Sequence, residues 1–293
     1  MLRPNYPVFD ISNLTVAGTG LLNADKFSRY LSGNPHLNVV HSHTFYHLLY
    51  FTKGSGNQII DFVKFPVQPG LIYFMRPGQV HHWQFDDTPE GYIVNFSPAF
   101  LDNLRIDASI LDHFSFFNAN DVQDQVLLPG KETQQHAIAL LEQVICEKQS
   151  NKPGKYLAIA AHLINLFVLL SRDTQTYPAE KQRVSHHTSL FYDFKKLVEA
   201  NFATMRLPKD YAALLFITPG QLNNISKEIA GIAAGEIIRN RVVLEAKRLL
   251  VNFNLTIADI ADRLNFTDNS YFVRFFRKYT GLTPDAFRKI YSR

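Results

Sequence analysis

The segment from Thr256 to Arg288 limits the possible folds most, because its spacing predicts two short helices joined by a tight corner and followed by a third. Apolar residues of the first helix recur at i, i+3, i+4 and i+7 and form one stripe: Ile257, Ile260, Ala261 and Leu264. Thr256 can cap the start of this helix. Asn265 suits the corner, since asparagine tolerates the left-handed backbone that a short turn needs. The segment therefore predicts a helix-turn-helix.

The second helix of this segment is predicted to begin after Asp268, whose carboxylate can accept hydrogen bonds from the free N–H groups there. Phe272, Phe276 and Tyr279 recur at helical spacing and are predicted to form its buried face, and Gly281 is predicted to end it. The polar face supplies the candidate DNA contacts: Asn269, Ser270, Tyr271, Arg274, Arg277 and Lys278. Amides and cations contact base edges and phosphates when a helix lies in a major groove. A structural three-helix subdomain with a solvated basic face would show the same spacing.

A second candidate helix-turn-helix lies upstream, where Pro208 suits a first helical position and Phe216 falls at the corner. Thr218 is predicted to cap the helix that follows. The candidate DNA contacts here are Thr218, Gln221, Asn223 and Asn224. Side-chain amides can pair with N6 and N7 of adenine together, although amides are equally common on ordinary helix surfaces.

Three strings between Ala246 and Arg288, AKRLL, IADIADRLNF and SYFVRFFRKYTGLTPDAFR, resemble the second helix-turn-helix of the AraC/XylS family of bacterial transcription regulators. The resemblance implies that residues 235–251 form a long helix that joins two DNA-reading units and fixes their spacing. It also indicates a departure in the first unit. Asn224 and Ser226 stand where related sequences carry a cation and an aromatic residue, and Phe216 stands in place of a small one, which implies fewer phosphate contacts.

Residues from His41 to Phe96 consist of short aromatic and β-branched runs separated by Gly and Pro, which predict a small β-barrel. The layout of His41-Ser42-His43, Gly54 and the stretch from Gly70 to His81 resembles the two motifs of the cupin fold. A cupin-like barrel is the N-terminal sensor domain that the AraC/XylS resemblance implies.

Four histidines are the candidate effector-binding residues of this barrel: His41, His43, His47 and His81. The first three share strand parity with Phe45 and Leu49, so a regular strand directs them to one face. Convergent imidazoles can bind Zn or Fe, contact a polar ligand, or form hydrogen bonds within a core. His47 stands where the cupin pattern has a carboxylate, which disfavours a metal, and no cofactor is predicted.

Two further helices, about 131–149 and 155–171, are predicted to form an αα-hairpin, since residues 150–154 have strong turn chemistry. The second is apolar almost all round, which favours a homodimer contact over burial within one chain. Cys146 is predicted to be a small core hydrophobe. The predicted domains are 1–173 (cupin-like β-barrel and αα-hairpin), a linker at 174–189, and 190–293 (an all-α DNA-binding domain with two helix-turn-helix units).

Charge is divided unevenly along the 293 residues. From Val184 onward there are 16 Lys and Arg against 10 Asp and Glu, whereas the preceding residues have 14 against 16. A positive balance in the part with the helix-turn-helix units fits double-stranded DNA as partner. A single cysteine, no N-terminal signal pattern and no apolar run of roughly 20 residues predict a cytoplasmic protein without a membrane segment.

The predicted function is a transcription regulator, not an enzyme, in which a small effector in the barrel controls DNA binding. A metal-dependent cupin enzyme with a DNA-binding tail and an architectural DNA binder without a ligand are the alternatives. The effector, the operator and the direction of regulation do not follow from the sequence.

Overall fold

A computed structural model of the chain describes residues 7–14, 20–118, 122–173 and 186–291. These residues form two compact units, an N-terminal unit that ends at 173 and a C-terminal unit that begins at 186. The first combines strands and helices and the second is helical, which confirms the predicted fold class. Residues 174–185 of the predicted linker lie outside the described residues, and 186–189 are helical.

The N-terminal unit has ten strands in its described residues. They are β1 (Val8–Phe9), β2 (Leu22–Lys26), β3 (Ser42–His43), β4 (Tyr46–Lys53), β5 (Gly56–Ile60), β6 (Val63–Pro66), β7 (Ile72–Met75), β8 (His81–Phe85), β9 (Glu90–Phe96) and β10 (Val126–Leu127). One sheet has the order β10-β7-β4-β9-β2 and another the order β6-β5-β8, while β1 pairs with β3. Aromatic side chains such as Phe27, Phe51 and Trp83 fill the space between them.

Five α-helices in the described part of this unit accompany the strands. They are α1 (Phe27–Gly33), α2 (Ala99–Asn103), α3 (Ser115–Asn118), α4 (Lys131–Gln149) and α5 (Lys155–Asp173). The predicted αα-hairpin is confirmed, since α4 and α5 pack against each other and cover the outer face of the five-stranded sheet. The buried side of α5, for example Leu163 and Phe167, belongs to that core. Length and composition alone would also allow α5 to cross a membrane, a test that buried core helices pass as well.

Cys146 corrects one prediction, because its side chain is exposed and not part of the core. Its neighbours Val144 and Ile145 are buried at 0% and 6% exposure. Three consecutive residues span most of a helical turn, so one of them has to leave the buried stripe.

The C-terminal unit consists of seven helices in its described residues. They are α6 (His186–Asn201), α7 (Pro208–Leu214), α8 (Pro219–Ala230), α9 (Ala234–Leu250), α10 (Ile257–Arg263), α11 (Asn269–Thr280) and α12 (Pro284–Ile290). The pairs α7–α8 and α10–α11 are the two predicted helix-turn-helix units, called the first and second units below. Helix α9 packs against helices of both, as expected for the long helix that joins them.

The ends of α10 and α11 are held by the local interactions that the sequence predicts. The Thr256 hydroxyl accepts from the main-chain N–H of Asp259, and the Asp268 carboxylate accepts from that of Tyr271. Asn265 takes the corner at a φ of 53°, and Gly281 ends α11 at a φ of 77°. The helix-turn-helix prediction for this segment is therefore confirmed down to its capping residues.

The first unit repeats this frame with a shorter turn. Helix α8 has twelve residues, as α11 has, and ends at Gly231 with a φ of 72°. Phe216 holds the corner at a φ of 55°, but Thr218 caps α8 only two positions later, whereas three positions separate Asn265 from its cap. The Phe216 side chain is 96% exposed, so burial does not offset the strain of its left-handed backbone.

Candidate DNA-binding and effector sites

Helix α11 separates its apolar and polar residues sharply. Phe272 and Phe276 are both fully buried, as predicted. All six predicted DNA contacts are exposed: Asn269, Ser270, Tyr271, Arg274, Arg277 and Lys278. Tyr279 contradicts the sequence analysis, because its side chain is 41% exposed and lies against Arg239 of α9, 5.5 Å from guanidinium to ring centre. This edge of α11 is therefore amphipathic rather than core.

The exposed face of α11 has the chemistry of a major-groove helix. Small polar side chains, Asn269 and Ser270, occupy the N-terminal turn, which enters a groove first in this motif. Three cations, Arg274, Arg277 and Lys278, follow on the same helix without an acidic residue among them. Such a helix can contact bases with its N-terminal half and phosphates with its C-terminal half.

Helix α8 exposes its predicted contacts less uniformly. Thr218, Gln221 and Asn224 are exposed, and Asn223 is half-buried. Gln221 Oε1 accepts from the main-chain N–H of Thr218 at 2.9 Å, while the Thr218 hydroxyl accepts from the main-chain N–H of Gln221 at 3.1 Å. A paired reading of adenine needs both the oxygen and the nitrogen of the amide. Gln221 cannot supply both while this capping box is intact, which leaves Asn224 as the better placed amide.

The structure shows the environment of two further residues of α8, Ser226 and Lys227. Ser226 is fully buried and donates to the main-chain oxygen of Leu222 at 2.8 Å, so it is structural. Lys227 is exposed and lies four residues before Gly231, just as Arg277 lies four residues before Gly281. It was not among the residues predicted from the sequence. The regular offset between the two units could have revealed it. Glu228 follows Lys227, so α8 lacks the cationic excess of α11.

The four histidines of the N-terminal unit meet in its interior. The single strand expected to carry the first three is divided, since His43 ends β3 and His47 lies in β4. Ring centres of His43 and His81 lie 4.9 Å apart, those of His43 and His47 5.3 Å, and those of His47 and His81 5.4 Å. His41 lies 4.1 Å from His81, and the two residues form a main-chain bridge between their chain segments. None of the four exceeds 2% exposure.

Burial keeps these imidazoles uncharged. It lowers the pKa of His41 to about 4 and that of His43 to about 3, and it holds the pKa of His47 and of His81 well below the usual value. Neighbouring histidines lower the pKa of His43, His47 and His81 further, since each disfavours a second positive charge.

One ring nitrogen of His43 is satisfied by the main chain. Its Nδ1 lies 2.8 Å from the main-chain oxygen of Phe45, and a carbonyl oxygen can only accept, so Nδ1 carries the proton. In the neutral ring, Nε2 is then an acceptor. Within the described part of the chain, the Nε2 atoms of His43, His47 and His81 have no hydrogen-bond partner. Unmet buried polar atoms of this kind cost roughly 1–3 kcal/mol each.

Three residues that the sequence analysis did not single out extend this polar patch. Gln58 Oε1 and Trp83 Nε1 are buried and lack partners among the described residues, and the buried Asn95 side chain lies against His47. Asn95 pairs with His47 across the β4–β9 ladder, and Gln58 pairs with Trp83 across β5–β8. Strand register therefore brings them to the histidines, which spacing within one strand cannot show. No three His, Cys, Asp or Glu side chains in the described ranges are arranged to hold a metal ion.

Two domain families match the chain in the same order as the two units. The AraC-like ligand-binding domain matches residues 30–167, and a helix-turn-helix domain matches residues 211–290. The chain is an AraC-family regulator. The matched ranges contain the histidine cluster, both recognition helices and the joining helix, so the comparisons support a regulator over a cupin enzyme.

Two sequence relatives and one solved structure illustrate what this AraC-family regulator is similar to. The arabinose operon regulatory protein of Escherichia coli is 28% identical over 249 residues, which are 80% of this chain and 77% of that protein. The HTH-type regulator YfiF of Bacillus subtilis is 22% identical over 88% of this chain and 81% of its own length. The structure of ToxT from Vibrio cholerae covers 92% of this chain and 98% of its own, with 13% identity and a TM-score of 0.45.

Proposed function

We propose that this regulator binds two successive major grooves of double-stranded DNA with α8 and α11, and that α11 supplies most of the electrostatic attraction. The exposed cations of α11 carry this proposal, since α8 has only Lys227 beside Glu228. We include Thr218, Gln221, Asn223 and Asn224 in the interface of α8, with Asn224 as its principal base contact. The proposed setting is the cytoplasm, without membrane attachment and without an enzymatic role.

Replacing Arg274 tests this proposal most directly. Arg274→Ala is expected to leave folding intact and to weaken binding to a selected operator by roughly 1–3 kcal/mol, with relaxed preference at one base pair. Asn224→Ala, at the corresponding position of α8, is expected to cost less. Fluorescence anisotropy with labelled DNA measures both.

The matched control is Arg29→Ala, which removes the same charge from an exposed side chain that pairs with the half-buried Asp25 in the N-terminal unit. Its operator affinity should equal that of the unmodified protein. Equal affinities of Arg274→Ala and the unmodified protein would show that α11 does not face DNA.

We further propose that the barrel binds a small, uncharged effector rich in hydroxyl groups at His41, His43, His47 and His81. His43 Nε2 needs a donor and Trp83 Nε1 needs an acceptor, and a hydroxyl group can serve as either. A carboxylate cannot donate, and burying it beside neutral rings without a cation is unfavourable. Because the histidines are closed off from solvent, a ligand reaches them only when part of the barrel moves, which gives binding a route to the DNA-binding state.

Trp83 provides the assay for this site, since it is the single tryptophan of the chain and lies 5.2 Å from His81. Titration with neutral sugars and polyols is expected to change its fluorescence, and the corresponding sugar acids should bind at least about tenfold more weakly. The double replacement of His43 and His81 by Ala should abolish the response and the effector control of a promoter reporter. A sugar acid that binds as tightly as its neutral counterpart would contradict the proposal.

A homodimer through α5 completes the proposed arrangement. Leu157 is 55% exposed, and Ala161, Ile164 and Val168 continue the same stripe at helical spacing with exposed or half-buried side chains. An apolar stripe of this length on an otherwise packed helix suits a second copy of the same helix. Sedimentation equilibrium of the full chain without DNA measures the mass, and a monomer at micromolar concentration would contradict this part of the proposal.

A further inference from the structure

The two helix-turn-helix units have separate cores, which raises the question of what sets the angle between them. Phe194, Tyr211 and Leu222 belong to the core of the first unit. Phe276 of the second unit packs against Phe287 of α12 at 5.6 Å between ring centres. Helix α9 contributes Ala234 and Ile238 to the first core, and near its other end Leu250 accepts a hydrogen bond from Arg288 of α12. A single helix that joins two units fixes the distance between them better than it fixes their relative rotation about the helix axis.

Arg206 makes a second connection between the units. It lies in the loop between α6 and α7, two residues before α7 begins, and its Nη2 donates to the main-chain oxygen of Leu264. Leu264 is the C-cap residue that directly follows α10. The guanidinium also lies over the ring of Phe266, 4.5 Å from its centre. Arg206 therefore reaches from the entrance of the first unit to the corner of the second.

Both contacts suit an arginine. The last carbonyls of a helix have no partner within the helix and carry partial negative charge, so a cation there is favourable. Phe266 is itself held in place, because its ring packs against Phe272 at 5.2 Å and Phe275 at 5.1 Å. Arg206 thus contacts the rigid base of α11 and not a mobile side chain.

We propose that Arg206 is a positioning residue that fixes the angle between α8 and α11, so that both helices match major grooves at one set spacing. Arg206 adds a contact between the units to those made through α9, and this added contact opposes rotation about α9. This inference rests on the two-groove binding proposed above. It assigns specificity for operator spacing to a residue that need not touch a base.

The first test is a spacing series. In vitro selection with the unmodified protein yields an operator, and derivatives with one or two base pairs inserted between its halves are compared by fluorescence anisotropy. Insertion should weaken binding by the unmodified protein about tenfold or more, since half-site spacing is a geometric requirement. Arg206→Met keeps the alkyl stem but removes the donor and the charge. It should bind the parent operator about tenfold more weakly than the unmodified protein does. Insertion of base pairs should then weaken its binding by less than a further factor of about three.

The control variant is Arg263→Met, which removes an exposed arginine from α10 beside the same corner. It should keep the full spacing dependence. Arg206→Met would overturn the proposal if its affinity fell by the same factor at every spacing, as expected of a phosphate contact or a general loss of stability, or if it behaved as the unmodified protein does.

A second measurement does not depend on DNA and separates the two proposals. Spin labels at Lys227→Cys and Arg277→Cys, with Cys146→Ser to remove the exposed thiol, report the distance between α8 and α11 by pulsed electron resonance. Arg206→Met should broaden the distance distribution, whereas Arg263→Met should not. An unchanged distribution overturns the role of Arg206. If the distribution of Arg206→Met is broadened but the affinity of the unmodified protein does not depend on half-site spacing, two-groove binding is overturned instead.

Discussion

Lowering the pH from 7 to 5 is expected to unfold the N-terminal unit before the C-terminal unit. The pKa of His41 falls to about 4 and that of His43 to about 3 on folding, and those of His47 and His81 are also held well below the usual value by burial. In the unfolded chain all four titrate near pH 6.5. Below that pH the unfolded chain binds protons that the folded unit excludes, so stability is complete above pH 6.5 and is lost as the pH falls.

The expected loss of unfolding free energy is large compared with the stability of a whole domain. Each histidine that titrates only in the unfolded chain contributes a slope of up to about 1.4 kcal/mol per pH unit, so the four together approach about 5 kcal/mol per unit below pH 6. A whole domain is stable by only about 5–15 kcal/mol. Urea unfolding followed by the fluorescence of Trp83, the only tryptophan, reports on the N-terminal unit alone.

Two variants sharpen the measurement. Replacing both His43 and His47 by Gln removes two of the four groups and should reduce the pH slope by somewhat less than half, since burial also lowers the pKa of His82. Replacing His136, an exposed histidine of α4, by Gln is the matched control for the substitution itself. A Trp83 transition whose urea midpoint stays constant between pH 7 and pH 5 would show that the histidines are not buried as a neutral cluster.

Phe276→Ala is expected to destabilise the C-terminal unit by roughly 3–5 kcal/mol, as large core truncations do. Its ring is fully buried and lies 6.1 Å from that of Phe272 and 5.6 Å from that of Phe287. Tyr279→Ala is the matched comparison on the same helix. Because Tyr279 is 41% exposed, its truncation is expected to cost no more than about 1 kcal/mol.

Circular dichroism at 222 nm and Trp83 fluorescence distinguish the two units in one urea titration. Phe276→Ala should move only the transition that lacks a change in Trp83 fluorescence. If Tyr279→Ala lost as much stability as Phe276→Ala, the assignment of the exposed face of α11 would be wrong. The DNA contacts assigned to that face would then need to be reconsidered.

Some features of the fold follow from residues close together in the chain. Thr256, Asn265, Asp268 and Gly281 each act on backbone groups within a few positions, through capping hydrogen bonds or a left-handed conformation. These effects depend little on the remainder of the protein. The bounds of α4 could be predicted for the same reason.

Other features depend on which elements lie opposite. Tyr279 and Cys146 stand at the edges of apolar stripes, where helical period alone does not decide burial, and both are exposed. Gln58, Trp83 and Asn95 reach the histidines through strand pairing across the two sheets. Arg206 meets Leu264 although 58 residues separate them in the chain. Residues close in the chain do not predict these exposures and contacts, because side-chain burial and pairing depend on neighbours that are brought together only by folding.

The sequence by itself determined two helix-turn-helix units with their caps and corners, a cationic second recognition helix and a histidine-bearing β-domain. Backbone preferences and helical or strand period act within a few residues, so they can be recognised without a structure. Only the tertiary structure decided that three imidazole Nε2 atoms face the interior without described partners and that Arg206 joins the units. Those facts depend on atoms that approach in space, and hydrogen bonds and desolvation act only over that short range.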